Sequence, residues 1–140
     1  MQLHPYLNFG GNCRQAFEFY REHLGGKITS MITHAQMPGG PPIAENWKDA
    51  ILHARMTIGE TELLGSDVPA DRFQPIRSVY LSLSVETEGE AKRIYDVMAE
   101  DGQIVMALQK TFFSPAFAMV RDRFGVSWMI NTEFPHGIGS

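Results

Sequence analysis

Cysteine is nearly missing from this chain. Cys13 stands alone, so no internal disulfide can form. Long apolar runs are missing too; none approaches the ~18 residues that span a bilayer. No positively charged, apolar leader opens the sequence. Together these absences point to a reducing, cytoplasmic setting. Blocks of like charge are also lacking. The 12 basic and 16 acidic residues leave a formal charge of −4, and Lys92-Arg93 is the one place where two bases adjoin. Nucleic-acid binding normally shows a basic patch or stripe, so neither nucleic acid nor an anionic membrane is an expected partner.

What is present is ordinary globular material. The apolar fraction is 44% and the charged fraction 20%. A chain of 140 residues suits one domain, and folding at that size buries roughly 70% of the unfolded surface. No external staple is needed.

Periodicity supplies the organisation. Residues 3–9 alternate, with Leu3, Pro5, Leu7 and Phe9 on one face and His4, Tyr6 and Asn8 on the other. Gly10-Gly11 turns the chain, and Asn12 is a candidate helix N-cap. Ala16, Phe17, Tyr20 and Leu24 then recur at helical spacing over 13–24, and Gly25-Gly26 ends the helix. A strand over 27–33 follows. Residues 34–49 contain Pro38-Gly39-Gly40-Pro41-Pro42 and read as a long loop, with Trp47 as the apolar foot of a possible lid. Strands over 51–58 and 61–66 flank a Gly59-Glu60 hairpin turn. A linker covers about 68–76.

The order then repeats. Val79, Leu81, Leu83 and Val85 alternate with Ser78, Tyr80, Ser82 and Ser84. Residues 88–100 form a helix with the stripe Ala91, Ile94, Tyr95 and Met98. Strands over 103–108, 117–122 and 126–131 complete the set. Tyr6-Leu7, Ala16, Tyr20 and Gly25 are answered by Tyr80-Leu81, Ala91, Tyr95 and Gly102. This is a duplicated supersecondary unit: module one about 1–67, module two about 77–134, one α+β domain over 1–140.

In each half the apolar face of the first strand must pack on the following helix. The opposite face carries His4, Tyr6 and Asn8 in one half and Ser78, Tyr80, Ser82 and Ser84 in the other. Uncharged hydrogen-bonding groups with aromatics suit a concave ligand site better than an open, solvated surface. The bland alternative is a half-buried face covered by a loop or a partner subunit.

The runs Pro5-Tyr6-Leu7-Asn8-Phe9, Phe17-Glu18-Phe19-Tyr20, His53-Ala54-Arg55-Met56, Leu64-Gly65-Ser66-Asp67 and Asp122-Arg123-Phe124-Gly125-Val126-Ser127-Trp128-Met129 resemble the PhnB-like branch of the vicinal oxygen chelate superfamily. That resemblance implies two βαβββ modules in a curled, mixed, eight-stranded sheet around a cavity. It also implies a homodimer. Metal enzymes of the superfamily draw one ligand from the first and fourth strands of each module, usually His or Gln and then Glu. Here His4 matches the first position. Tyr80 or Ser78 and Met129 stand at the second module's positions, and Leu63 or Leu64 at the fourth strand of the first. Glu62 is adjacent, with the two-residue period expected to turn it away. One ligand in four leaves no metal site, because zinc needs at least three from the protein. PhnB-like sequences are often labelled methyltransferases, yet the βαβββ order offers no glycine-rich turn for a sulfonium donor.

The resulting expectation is a protein that binds a small organic molecule without metal or cofactor, through His4, Tyr6, Asn8, Tyr80, Ser82, Met106, Gln109 and Met129. Methionines on strands give an adaptable apolar wall, and Gln109 with Phe112-Phe113 closes one end. His4 is the one histidine placed in the site, a weak acid–base candidate with no carboxylate assignable beside it. His34 and His136 are expected in solvent, and His53 on either face. Cys13 opens a helix, where a thiol can be activated, but is read as structural. The alternatives are a metal-dependent glyoxalase I-like lyase or dioxygenase retaining His4, and a non-catalytic dimeric interaction module.

Overall fold

The computed structural model describes residues 1–37 and 44–134. The centre of the Pro/Gly loop and His136 lie outside the described residues. Two compact units meet at Gln74–Pro75, inside the expected linker.

In the first unit β1 (Tyr6–Phe9), α1 (Cys13–Leu24), β2 (Lys27–Thr33), β3 (Ile51–Ile58) and β4 (Thr61–Asp67) follow the expected order. Its four strands form one sheet in the order β1-β4-β3-β2. β1 runs parallel to β4, and the other pairings are antiparallel. Leu7, Phe9, Ala54, Met56 and Leu63 face α1, which buries Cys13, Ala16, Phe17 and Tyr20 against them. Phe17 lies so close to the sheet that a methyl group on Gly65 would stand 2.8 Å from its Cε1. Glycine is what allows this helix to seat.

The start of α1 corrects the sequence reading. The Asn12 side chain makes no capping hydrogen bond. The buried Asp67 carboxylate does that work from the end of β4. Its Oδ1 accepts from the Gly11 and Cys13 amides at 3.0 and 2.9 Å, and its Oδ2 accepts from the Ile51 amide at 2.9 Å. One side chain thereby joins the β1–α1 turn, the head of β3 and the tail of β4. A negative charge there also complements the helix N-terminus.

The second unit repeats the plan with β5 (Leu81–Val85), α2 (Glu88–Ala99), β6 (Gln103–Gln109), β7 (Ala116–Arg121) and β8 (Ser127–Thr132). The strand order is β5-β8-β7-β6, again with the first and last strands parallel. Thr87 caps α2 by accepting from the Glu90 amide at 3.1 Å. Ala91, Ile94 and Met98 are the buried helix residues, packed toward Ala118, Val120, Trp128 and Ile130.

Duplication extends to irregularities. The pairing register slips between Ile28 and Ser30 in β2 and between Ile104 and Met106 in β6. Both edge strands are thus bulged one step after they begin. Each is preceded by a glycine pressed on neighbouring atoms. A methyl on Gly26 would meet the Met56 methyl at 2.5 Å, and one on Gly102 would meet the Arg121 carbonyl oxygen at 2.4 Å.

Both first strands are shorter than the alternation suggests. Leu3 is 95% exposed and Val79 is 58% exposed. Pro5 has no N–H to give and contributes only its carbonyl, which accepts from the Leu64 amide at 3.0 Å. In the second unit Ser78 adopts φ 56°, a left-handed kink that breaks extension before Tyr80. No helix among the described residues is long and apolar enough to cross a membrane.

Candidate functional site

The strand pairing decides which residues share the sheet faces that the helices leave uncovered. In the first unit, Tyr6 pairs with Leu64 and Asn8 with Ser66 across β1 and β4. Leu64 pairs in turn with Arg55, and Thr57 with Glu62, across β3 and β4. Two steps before Tyr6, His4 falls opposite Glu62. The His4 Nε2 lies 3.4 Å from Glu62 Oε2 and 3.1 Å from Gln2 Oε1. The other carboxylate oxygen, Oε1, is 3.8 Å from an Arg55 terminal nitrogen. The Tyr6 ring stands 6.2 Å from that of His53, and Ser66 Oγ donates to Asn8 Oδ1 at 3.2 Å. His4, Tyr6 and Asn8 therefore do share one face, joined by His53, Arg55, Glu62 and Ser66.

Glu62 is a correction. The two-residue period does not turn it away from His4, and His4 does have a carboxylate beside it. The parallel β1–β4 register is the signal that could have revealed this, since a constant offset carries Tyr6–Leu64 back to His4–Glu62. Reading the face from the first strand alone hid Arg55 and Glu62, which come from later strands.

In the second unit the paired rows of the corresponding face carry no carboxylate, and their one charged residue is Arg121, opposite Ser127 and Gln103. Ser82 pairs with Met129, Met129 with Met119, and Met119 with Met106, so one row crosses the whole sheet. The next row contains Ser84, Asn131, Phe117 and Gln109. Ser82, Met106, Gln109 and Met129 thus share one sheet face, and Met119 lies on it with them. The Gln109 side-chain amide donates to the Ala107 carbonyl at 3.1 Å. Phe113 packs edge-on against Phe117 at 5.0 Å, whereas Phe112 is exposed. Tyr80 is half-buried ahead of β5. Asn131 Oδ1 is buried and has no hydrogen-bond partner among the described residues.

The remaining candidates settle into structural roles. His34 is half-buried rather than solvated, its ring 6.2 Å from Trp47. The ends of that loop are tied by backbone bonds from His34 to Ala50 and from Ala35 to Lys48. Cys13 is fully buried, and its thiol is pushed far above the ordinary range by desolvation first and by the Asp67 charge second. It is protonated and inert at neutral pH. A hollow of about 490 Å³ at one end of the second sheet is lined by Glu86, Thr87, Glu88, Lys110, Thr132 and Phe134. Its Glu86 and Glu88 stand at the start of α2, where acidic residues complement the helix dipole.

A divalent metal does not fit these residues. His4 and Glu62 approach each other while His53 stands against Tyr6, so two ligands meet where zinc takes three or four from protein. Met129 and Ser82, paired on the last and first strands of the second unit, are not divalent-metal ligands of the usual kind. Among the described residues no group of three His, Cys, Asp or Glu side chains is placed to hold a metal.

Comparison with known proteins agrees with this architecture. Residues 2–130 match the profile of the Glyoxalase/Bleomycin resistance protein/Dioxygenase superfamily. Protein YjdN of Escherichia coli (strain K12) is 36% identical over 139 residues, covering 94% of this chain and 95% of YjdN. The crystal structure of protein PA1353 from Pseudomonas aeruginosa superposes with a TM-score of 0.86 at 41% identity, over 95% of this chain and 98% of that one. The PhnB protein of Bacillus cereus follows with a TM-score of 0.80 at 26% identity, over 94% and 99%. With two βαβββ units, matching strand order and relatives along nearly its full length, the chain belongs to the PhnB-like branch of the glyoxalase/bleomycin resistance/dioxygenase superfamily.

Proposed function

We propose that this protein binds a small organic molecule on the helix-free sheet faces and does so without a divalent metal. The observation that carries the reading is the content of those faces. One presents His4, Tyr6, His53, Arg55 and Glu62; the other presents a serine–methionine row from Ser82 to Met106. A few oriented polar groups and adaptable apolar side chains are the composition of ligand sites. Of the metal-ligand side chains on the first face only His4 and Glu62 meet, and two are too few for a divalent ion to be retained.

The test is a thermal-shift screen of small aromatic and aliphatic organic compounds, run with and without EDTA. A ligand that binds only the folded state raises the melting temperature by mass action. Shifts that persist in chelator are expected. Shifts that vanish with EDTA, or one equivalent of nickel, zinc or iron in tag-free protein, overturn the metal-free part.

A second reading, a metal-dependent lyase or dioxygenase, is favoured by one observation, the approach of His4 to Glu62. Loss of bound metal together with activity in His4→Ala is the outcome that reading requires.

A further inference from the structure

Arg55 occupies an unusual position for an arginine. It rises from β3, an interior strand flanked by β4 and β2. Its row across the face is Tyr6, Leu64, Arg55 and Ser30. Its side chain is 44% accessible, on the sheet face that no helix covers. Its Nε alone is buried, with no hydrogen-bond partner among the described residues. The nearest carboxylate, Glu62, stands 3.8 Å from one terminal nitrogen, too far for a hydrogen bond, and its other oxygen turns to His4. A guanidinium carries five N–H donors in a planar fork, and no hydrogen bond uses them among the described residues. Buried donors are almost always paired in a finished structure.

The charges on this face do not oppose an anion. Glu62 is its one carboxylate among the described residues, set against the Arg55 guanidinium. The guanidinium fork fits two coplanar oxygens, the shape of a carboxylate or of one edge of a phosphate. Beside it stand Leu64 and the Tyr6 and His53 rings, tilted 36° to one another, as an apolar and aromatic wall.

We infer that Arg55 anchors the oxyanion of a planar organic acid whose flat part lies along Tyr6 and His53. The inference rests on the small-molecule-binding reading and adds the chemical class to it. Arg55 supplies at this site a fixed positive charge of its own, without need of a metal ion.

Backbone-amide NMR titrations of the full chain in EDTA test this, with benzoate, its neutral isostere benzamide, and inorganic phosphate as probes. Benzoate is expected to shift the Tyr6, His53, Arg55 and Leu64 amides saturably, with benzamide at least about tenfold weaker, as loss of a charge-assisted contact implies. Arg55→Gln is expected to weaken benzoate by a similar factor while leaving amide dispersion intact. Arg55→Lys keeps the charge without the fork and falls between. Phosphate that competes with benzoate supports a general oxyanion site; phosphate that fails while benzoate binds narrows it to carboxylates. Equal binding of benzoate and benzamide, indifferent to Arg55→Gln, overturns the anion inference but leaves small-molecule binding standing. If no probe moves these amides, the anion inference also falls, while the metal-free reading is judged by its own thermal-shift screen.

Discussion

The two modules share a scaffold and differ on one face. Their helix-packed sides match in element order, in bulge position and in the glycine before each edge strand. Their uncovered sides do not. The first sets a carboxylate, Glu62, between His4 and Arg55; the paired rows of the second carry Arg121 at one end and otherwise serine, methionine, asparagine, glutamine and Phe117, with no carboxylate. Duplication therefore preserved what folding needs and released what it does not. The face that packs nothing locally is where the copies diverged, which is how a grafted site behaves on a shared fold.

Each module also holds one buried aspartate, and these anchors differ in reach. Asp67 accepts from amides 54 to 56 residues back in the chain and 16 residues back, at Gly11, Cys13 and Ile51. Asp122 serves its own hairpin, accepting from the Phe124 and Val126 amides and from Trp128 Nε1, all within 6 residues. Removing either carboxylate strands buried N–H donors, each costing about 1–3 kcal/mol. Asp67→Ala is expected to cost about 4 kcal/mol and Asp122→Ala about 2–3 kcal/mol, because a local turn relaxes to reach water more readily. Urea unfolding of the two variants checks the order. Equal losses would erase the distinction between a long-range clasp and a local one.

The paired glycines sharpen the match between modules. At Gly102 the obstacles are backbone oxygens of Arg121 and Met98, at 2.4 and 2.6 Å from an added methyl. At Gly26 the nearest obstacle is the flexible Met56 methyl at 2.5 Å, with the Thr57 carbonyl at 2.8 Å. Gly102→Ala should cost roughly 3 kcal/mol and Gly26→Ala roughly 1–2 kcal/mol, the range of overpacking. Melting curves that reverse this order would mean that the side-chain escape route is not open.

Cys13 gives the first module a pH handle that the second lacks. Desolvation and then Asp67 hold its thiol protonated in the folded state, with Arg14 opposing. An unfolded cysteine titrates near ~8.5. Above that pH the unfolded chain loses a proton that the folded chain keeps, so folding stability falls as pH rises. The slope from this group is at most about 1.4 kcal/mol per pH unit. Cys13→Ala should flatten the alkaline limb of stability against pH. An aromatic disulfide reagent should label native Cys13 only as fast as the first module opens.

Much of the architecture is legible in the sequence. The helix over Cys13–Leu24 and the strands Lys27–Thr33 and Ile51–Ile58 match the periodic reading at both ends. Amphipathic period and glycine punctuation determine these locally. The candidate site was half legible. His4, Tyr6 and Asn8 follow from alternation along one strand. Arg55 and Glu62 do not, because their place depends on which strand pairs with which and at what offset. Asp67 shows the same limit: Asn12 is the local choice for a cap, but a distant carboxylate outcompetes it once the sheet forms. Leu3 and Val79 continue the apolar alternation, yet a proline and a left-handed serine end the pairing before them.

The smallest expected effect is the most informative about the ionic face. His4, Glu62 and Arg55 lie 3.4 and 3.8 Å apart and are partly exposed, with the Glu62 side chain 30% accessible. Ion pairs of that kind contribute about 0–1 kcal/mol. Glu62→Gln and His4→Gln should therefore each change unfolding free energy by less than about 1 kcal/mol, and the double variant should show little coupling. A scaffold that gains so little has no folding reason to set a carboxylate between an imidazole and a guanidinium on one sheet face, when the paired rows of its duplicate carry Arg121 without a carboxylate or an imidazole. Coupling above about 2 kcal/mol in the double-mutant cycle would reverse the argument, making the cluster part of the fold's support.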